Sequence, residues 1–349
     1  MISLKTSPYV LVACAVFSFV ILFSLGPDRS ATRWAIPKTS FTSTTTNSKL
    51  PPPNYKSASF NRLQPDTTSE IGRASNATLG FEKVYVLGLE ERYDKRDAIA
   101  LAASLTGFHV DFYDSVRGED VQDKAKPPVC TVIEHNLASV LIFEDDADWD
   151  IRLTGQMVDL AKGVRQLSGV SFTDRQHSPY GDDWDVIWPG HCGEVLPKND
   201  DRRYLIENDE TVAPKQHQKS IKALKDFPEG TRMVHRAGAP LCSFAYAVSY
   251  RGAQKILMAL AVKGGSSLAI DNALAYLCRD GYLDLQCYSV EPQLMHHHRP
   301  AGSVNKDSDI RGGDSKEVRE KGSTETIVLS ARLNMEPLIK GTDDWVKQW

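Results

Sequence analysis

VLIFEDDADWDI, residues 140–151, is the stretch that decides the fold. Four apolar residues, 140–143, come directly before five carboxylates in the seven positions 144–150. The apolar run predicts a buried strand. In an open α/β sheet, ligands bind outside the carboxyl ends of the strands, which is where these acids begin. Because neighbouring carboxylates repel one another, a positive charge must offset the repulsion, and we expect it to indicate the function.

Strand-like and helix-like patterns alternate on both sides of this stretch. The predicted strands lie at 84–87, 109–116, 140–143 and 184–188, and the predicted helices lie at 97–105, at 251–262 and just after Asp271. This alternation predicts an α/β domain with a mainly parallel sheet flanked by helices.

Composition limits the classes of function. The chain has 349 residues, of which 41% are hydrophobic and 25% charged, so it can bury at least one substantial core. The formal net charge of -4 shows no basic excess, which argues against a nucleic-acid partner.

The N-terminus differs from the rest of the chain. Residues 9–25 carry no charge and are long enough, at the short end, for a membrane-spanning helix. A cleaved signal peptide is the alternative, but Pro27 after Gly26 disfavours cleavage there. We predict that residues 1–26 form a cytoplasmic tip and a transmembrane signal anchor. The protein would then be a single-pass type II protein of the Golgi or endoplasmic reticulum membrane, with the bulk of the chain in the lumen.

Three further segments follow this anchor. Residues 27–80 are rich in Ser, Thr, Pro and Asn and predict a disordered stem. An acceptor sequence for N-glycosylation, Asn76-Ala77-Thr78, lies at its end. We expect the folded domain at 81–310 and a polar C-terminal tail at 311–349.

The six cysteines contain no CxxC pair, so a zinc knuckle is not expected. Disulfides in an oxidising lumen and buried free thiols both fit this pattern, and the sequence does not give the connectivity.

The acidic run has more than one interpretation. Hard oxygen ligands crowded at a strand end suit Mg²⁺, Mn²⁺ or Ca²⁺. A solvated turn at a helix N-terminus is the simpler alternative. An EF-hand loop starting at Asp146 fails, because Ile151 and Met157 stand where Gly and Glu are required. A two-aspartate phosphohydrolase that uses Asp146 and Asp148 stays open.

Several blocks resemble glycosyltransferase family 25, the group of lipopolysaccharide and collagen galactosyltransferases. VYVLGLEERYDKRDA (84–98) resembles the family's opening motif, and LIFEDDADWD (141–150) resembles its acidic motif. SPYGDDWDVIWPGHCGE (178–194) and YAVSYRGAQKIL (246–257) are similar to blocks of fungal members. The resemblance covers about residues 81–310. It implies a GT-A type fold, a nucleotide-sugar donor, usually UDP-linked, and an Mn²⁺-dependent reaction that inverts the anomeric centre.

The resemblance also implies roles for individual residues. The expected ligands of Mn²⁺ or Mg²⁺ are Glu144, Asp146 and Asp148. The expected donor contacts are Asp145, Arg92 and Arg96, although both arginines also fit the charged surface of a helix start.

Asp271 is the expected base for the acceptor hydroxyl, and a helix N-cap is its alternative. The tract at 296–298 offers a third metal ligand or, alternatively, only a polar loop.

One departure from the family pattern concerns the donor pocket. Relatives carry an additional stretch before the block TVIEHNLASVLIFEDD, whereas here Pro128-Val129-Cys130 runs directly into Thr131. The missing stretch would build a helix and part of the donor pocket, so the chain resembles a member with an internal deletion near Cys130, which favours an inactive relative.

The acidic run instead favours an active enzyme, and the resemblance then predicts a hexosyltransferase, with galactose favoured, acting on a hydroxyl of a glycan or glycoprotein. A catalytically inactive relative that binds glycans or partner enzymes is the second hypothesis.

Overall fold

The computed structural model describes residues 66–115, 117, 128–218, 221–262, 268–304, 309 and 316–349. These residues belong to one compact unit, Asn54–Trp349. The predicted anchor at 1–26 and most of the predicted stem lie outside the described residues. Within the described ranges, no helix is long and apolar enough to span a bilayer.

Eight strands form the central sheet, in the order β2-β1-β3-β8-β5-β9-β7-β6. Their bounds are β1 Lys83–Leu89, β2 Asp111–Ser115, β3 Ser139–Glu144, β5 Val186–Gly190, β6 Arg203–Ile206, β7 Arg232–Arg236, β8 Ala245–Ser249 and β9 Cys287–Glu291. β1 pairs in parallel with β2 and β3, and β5 pairs in parallel with β9. The other neighbours are antiparallel, because β7 and β8 run against the remaining strands. The α/β prediction is confirmed, and the sheet is mixed.

Helices cover both faces of this sheet. Their bounds are α1 Tyr93–Leu105, α2 Val129–Glu134, α3 Leu153–Ser168, α4 Tyr250–Val262, α5 Ile270–Arg279 and α6 Met335–Lys340. In β3, Leu141 and Phe143 join the core that contains α1 and α3. Val140 and Ile142 join the core that contains α4 and α5. The apolar run is thus buried on both faces, as a central strand between two helical layers requires.

A small antiparallel sheet continues from the end of β3. β4 Ala147–Trp149 pairs with β10 Met295–Arg299, which pairs with β13 Ser323–Thr324. A separate two-stranded pair joins β11 Gly302–Ser303 to β12 Val318–Arg319. The register places His297 opposite Ala147 and His296 opposite Asp148. The histidine tract therefore lies beside the acidic run.

The predicted end of the stem, at residue 80, lies inside the folded region. Ile71, Ala74 and Leu79 are buried in the core that contains α1 and α3. The Tyr180 hydroxyl donates to the Leu79 carbonyl at 2.8 Å. Residues 27–80 are polar in overall composition, so the few apolar side chains at the end of this segment were not recognised as part of a core. Their burial is enough to pack the end of the segment against the folded domain.

The segment predicted as a polar tail is also part of the fold. Val328, Leu329, Ala331 and Leu338 belong to the same core. The Ala331 N–H donates to the Trp149 carbonyl at 2.8 Å. The C-terminal segment therefore packs against the acidic run. Its polar composition had indicated a tail and could not reveal these contacts.

Two disulfides resolve the open question for four of the cysteines. Cys192 is bonded to Cys242, and Cys278 is bonded to Cys287. The first disulfide ties the loop after β5 to the loop before β8. Disulfides persist mainly in oxidising compartments.

Candidate metal centre and donor site

The five carboxylates of the acidic run, residues 144–150, separate into two groups. Asp145, Asp148 and Asp150 are each held by other groups of the chain. Glu144 and Asp146 instead converge on one imidazole, that of His297. Only the second group offers a set of ligand atoms that a metal ion could share.

Asp145 is held by Lys95. The Lys95 ammonium lies 3.0 Å from Asp145 Oδ1 and 2.6 Å from Asp309 Oδ2. Gly88 on β1 makes room for this carboxylate, since a Cβ at that position would lie 2.5 Å from Asp145 Oδ2. Burial raises the pKa of Asp145, although Lys95 opposes the effect. Asp145 thus lies beside the predicted metal ligands and is already paired.

Asp148, which the sequence predicted as a metal ligand, is a buried structural group. Its carboxylate accepts hydrogen bonds from the hydroxyls of Thr324 and Ser330 and from the Trp149 N–H. The residue is 0% exposed. Among the described residues, the structure does not group it with Glu144 and Asp146.

Asp150 has a similar structural position. Its Oδ1 accepts from Arg152 Nε at 2.7 Å, and its Oδ2 accepts from the Leu329 N–H at 2.9 Å. Asp150 therefore fixes the start of α3 against the C-terminal segment.

Glu144, Asp146 and His297 form the candidate metal centre. Glu144 Oε2 lies 2.8 Å from His297 Nε2, and Asp146 Oδ1 lies 3.4 Å from the same nitrogen. The Ser243 hydroxyl donates to Glu144 Oε1 at 2.8 Å, and the Phe244 ring packs on the His297 ring with centroids 3.6 Å apart. The end of β3, the loop before β8 and strand β10 together position the three ligands.

The electrostatics of this centre fit a divalent cation. Burial raises the pKa of Asp146 and Glu144 adds to this effect, whereas the charges of His297, Lys95 and Arg299 oppose it. Asp146 Oδ1 is buried and has no hydrogen-bond partner. Two carboxylates and one imidazole are suitable ligands for Mn²⁺ and related ions. The ligand atoms of the three side chains lie within 4.8 Å of one another. Binding of one ion through His297 Nε2 would require Arg299 to move, because its Nη2 donates to His297 Nδ1 at 3.1 Å.

The three ligands are open to solvent to different degrees. The side chains of Glu144, Asp146 and His297 are 33%, 15% and 18% exposed. Arg299 is next to them, with Nη1 3.5 Å from Asp146 Oδ2 and its side chain 39% exposed. A negatively charged ligand could therefore approach both a cation and a guanidinium here.

The two arginines predicted to contact the donor have different surroundings. Arg92 pairs with Asp94 and with Asp309, the residue that also holds Lys95. Arg92 therefore belongs to a charged network that reaches Asp145. Arg96 instead pairs with Asp114 at 2.6 Å and lies over the ring of Phe112, with its Cζ 4.5 Å from the centroid.

Asp271 lies in the first turn of α5 and is connected to the metal centre through one short segment. Its Oδ2 accepts from the Cys242 N–H at 3.2 Å. The next residue, Ser243, donates to Glu144. The N-cap of α5 is Ala269, so Asp271 does not fill the capping position that was its alternative role.

A groove of about 920 Å³ lies elsewhere in the fold. Residues of α3 and of the segment 206–211 contribute to its lining, whereas Glu144, Asp146 and His297 do not. The groove is thus separate from the candidate metal centre.

The sequence gave two interpretations of the histidine tract that contains His297, a metal ligand and a polar loop. A tract of three histidines contains no apolar alternation, so nothing marked it as a strand. The one available signal was that few residues separate the end of β9 from the histidine tract, which keeps the tract near the same edge of the sheet.

Comparison of the chain with protein-family models and with curated proteins finds no match.

Proposed function

We propose that the chain is a metal-dependent glycosyltransferase, which transfers a hexose from a nucleotide-sugar donor to a hydroxyl of a glycan or glycoprotein. Galactose from a UDP-linked donor is the first candidate. The observation that carries the proposal is the convergence of Glu144, Asp146 and His297 at the carboxyl end of β3. Ligand sites of open α/β sheets occur at this position.

The residues of the centre suit binding of a nucleotide diphosphate. Glu144, Asp146 and His297 would hold the Mn²⁺ or Mg²⁺ ion, which would neutralise the charge that develops on the leaving diphosphate. Arg299 lies beside Asp146, and its guanidinium would donate hydrogen bonds to the oxygens of the leaving diphosphate. Lys95 and Arg92 would orient the donor less directly, since both are paired with Asp309.

Asp271 is the proposed general base. Its carboxylate is kept in place by the Cys242 N–H and by the Asn272 N–H at 2.7 Å. A carboxylate fixed near the metal centre would accept the acceptor's hydroxyl proton as the new glycosidic bond forms. The Cys192–Cys242 disulfide restrains the segment that positions it.

The two disulfides support a luminal location for the catalytic domain. A type II protein of the Golgi or endoplasmic reticulum would meet both nucleotide sugars and glycoprotein acceptors there. The compartment and the proposed substrates are therefore consistent with one another.

The proposal is tested by thermal unfolding of the purified chain against a panel of nucleotide sugars, with and without Mn²⁺. We expect one UDP-sugar at 100 times its dissociation constant to stabilise the protein by about 2.7 kcal/mol, and only with the ion present. A donor that shifts the melting temperature equally after chelation would contradict the proposal. Binding without donor turnover would indicate the inactive relative, and phosphate release from simple esters would indicate the phosphohydrolase.

Replacement of Asp271 by Asn tests the assignment of the base. We expect Asp271→Asn to lower kcat by about 10²–10⁴-fold, because the amide cannot accept the proton, while donor binding stays unchanged. The matched control is Glu336→Gln, which removes an exposed acid from the first turn of α6. Unchanged kcat in Asp271→Asn would remove Asp271 from the mechanism.

A further inference from the structure

A second group of titratable side chains lies inside the protein. It consists of His191, Glu194, His235 and Glu291, and we call it the buried cluster. His191 follows β5 directly, His235 lies on β7 and Glu291 ends β9. β9 is the neighbour of both β5 and β7, so the sheet brings the cluster together. The buried cluster shares no residue with the candidate metal centre.

The buried cluster contains polar atoms without hydrogen-bond partners. These atoms are both carboxylate oxygens of Glu291, Oε2 of Glu194 and Nε2 of His235. His191, His235 and Glu291 are 0% exposed, and so is the Glu194 side chain. A buried polar atom is strongly unfavourable unless something satisfies it. Four such atoms close together indicate a ligand.

The imidazoles of the buried cluster are oriented as metal ligands are. His235 Nδ1 donates to the Arg236 carbonyl at 2.9 Å, which leaves the lone pair on Nε2, 3.8 Å from Glu194 Oε2. His191 Nε2 donates to the Val290 carbonyl at 3.1 Å. A backbone carbonyl on one ring nitrogen is the usual support for a histidine that binds metal through the other.

Burial also keeps both imidazoles neutral, as ligands must be. It lowers the pKa of His191 to about 4 and that of His235 to about 3. The remaining nitrogen of His191, Nδ1, accepts a hydrogen bond of 3.2 Å from the Gly193 N–H. An ion bound at Nδ1 would replace this hydrogen bond.

We propose that the buried cluster is a structural metal site that binds a divalent transition ion, with Zn²⁺ as the first candidate. Glu194, Glu291 and His191 would be the primary ligands, since their ligand atoms lie within 4.8 Å of one another. His235 lies outside this group of three, but its Nε2 is 3.8 Å from Glu194 Oε2 and would be the fourth ligand. Histidine and carboxylate ligands suit Zn²⁺, and the absence of solvent access at the buried cluster leaves no open position for catalysis, so the role would be structural.

Two protons are the alternative to a metal ion. Burial raises the pKa of Glu194 to about 8 and that of Glu291 to about 7, so neutral carboxylic acids could occupy the site instead. A protonated Glu194 could donate to His235 Nε2, which lies 3.8 Å from Glu194 Oε2, so protonated carboxyls are the alternative that the experiments below must exclude. A divalent ion would instead bind His235 and both carboxylates together.

The test uses the full chain carrying Asp146→Asn, which weakens ion binding at the candidate metal centre. The protein is dialysed against a chelator and reloaded with Zn²⁺, and metal content and melting temperature are then measured. We expect about one zinc ion per chain and a higher melting temperature after reloading. Adding Glu291→Gln should reduce bound zinc to background and abolish the increase, whereas adding Glu336→Gln should change neither.

A second measurement requires no change in the buried cluster. Co²⁺ replaces Zn²⁺ in the chelated Asp146→Asn protein, and its visible ligand-field bands report nitrogen and oxygen ligands. We expect such bands, and we expect Zn²⁺ to remove them. Absence of zinc uptake and of cobalt bands in this protein would overturn the proposal in favour of protonated carboxyls. Zinc binding that is unchanged in a folded Glu291→Gln variant would overturn it as well.

Discussion

Asp146→Asn is expected to lower sugar transfer by about a thousandfold or more. The substitution removes one of the two carboxylates that converge on His297. Loss of a metal ligand of this kind withdraws several kcal/mol of transition-state stabilisation, and each 1.4 kcal/mol corresponds to a factor of ten. The measurement is the initial rate of donor consumption at saturating Mn²⁺, for the variant and for the wild-type chain.

Two comparisons show whether such a loss is specific. Burial raises the pKa of Asp146 above its usual 3.8, so the ionised carboxylate destabilises the metal-free fold as the pH rises through that raised value. Asp146→Asn should therefore melt at or above the wild-type temperature without metal. Asp111→Asn removes a half-exposed surface carboxylate paired with Lys83 and should leave the rate unchanged. Wild-type activity in Asp146→Asn would contradict the proposed centre.

Asp148→Asn is expected to destabilise the fold by about 3–5 kcal/mol. Its carboxylate accepts hydrogen bonds from the hydroxyls of Thr324 and Ser330 and from the Arg332 N–H. The amide NH₂ group of Asn cannot accept these hydrogen bonds and would face other donors. His298 Nδ1 lies 3.5 Å away and would lose its acidic neighbour. At roughly 2–4 °C per kcal/mol, the melting temperature should fall by about 10 °C. Calorimetry of the metal-free proteins measures this effect.

The same network predicts a dependence on pH. Burial opposes ionisation of Asp148, but its interactions with His298, Arg332 and Ser330 outweigh burial and hold the pKa below 3.8. Because the folded-state pKa is lowered, the stabilisation is complete above pH 3.8 and is lost as the pH falls through the folded value. The stability difference between wild type and Asp148→Asn should therefore decrease in acid.

An Asp148→Asn protein with the wild-type melting temperature but without metal binding would reverse the assignments of Asp146 and Asp148.

The sequence predicted the central part of the fold because that part has simple periodic signals. The run at 140–143 contains only apolar residues and forms a strand buried on both faces, as its pattern indicated. Helix α3 was not predicted, although Leu153, Met157, Leu160 and Val164 have helical spacing and are buried.

The two aspartates of the acidic run could not be distinguished from their spacing. Asp146 and Asp148 are two residues apart, which in a continuous strand would place them on the same face. The turn at 145–146 interrupts the strand, so Asp146 turns toward His297 while Asp148 enters β4. The hydroxyls that bind Asp148 come from Thr324 and Ser330, 176 and 182 residues away. No local pattern indicates contacts at such separations.

The buried cluster was missed for a related reason. His191 and Glu194 follow β5, His235 lies within β7 and Glu291 is the last residue of β9, and nothing in the spacing of these residues links the three strands. Only the pairing of β9 with both β5 and β7 brings them together. Single-sequence patterns identify the elements, whereas the order of strands in the sheet decides which polar residues meet.

The most direct measurement is anomalous X-ray diffraction at the manganese edge, from crystals of the chain grown with Mn²⁺ and UDP. The proposed function predicts an anomalous peak in contact with Glu144, Asp146 and His297, with the diphosphate on the side of Arg299. A manganese peak elsewhere, with these three side chains bonded only to one another and to water, would contradict it.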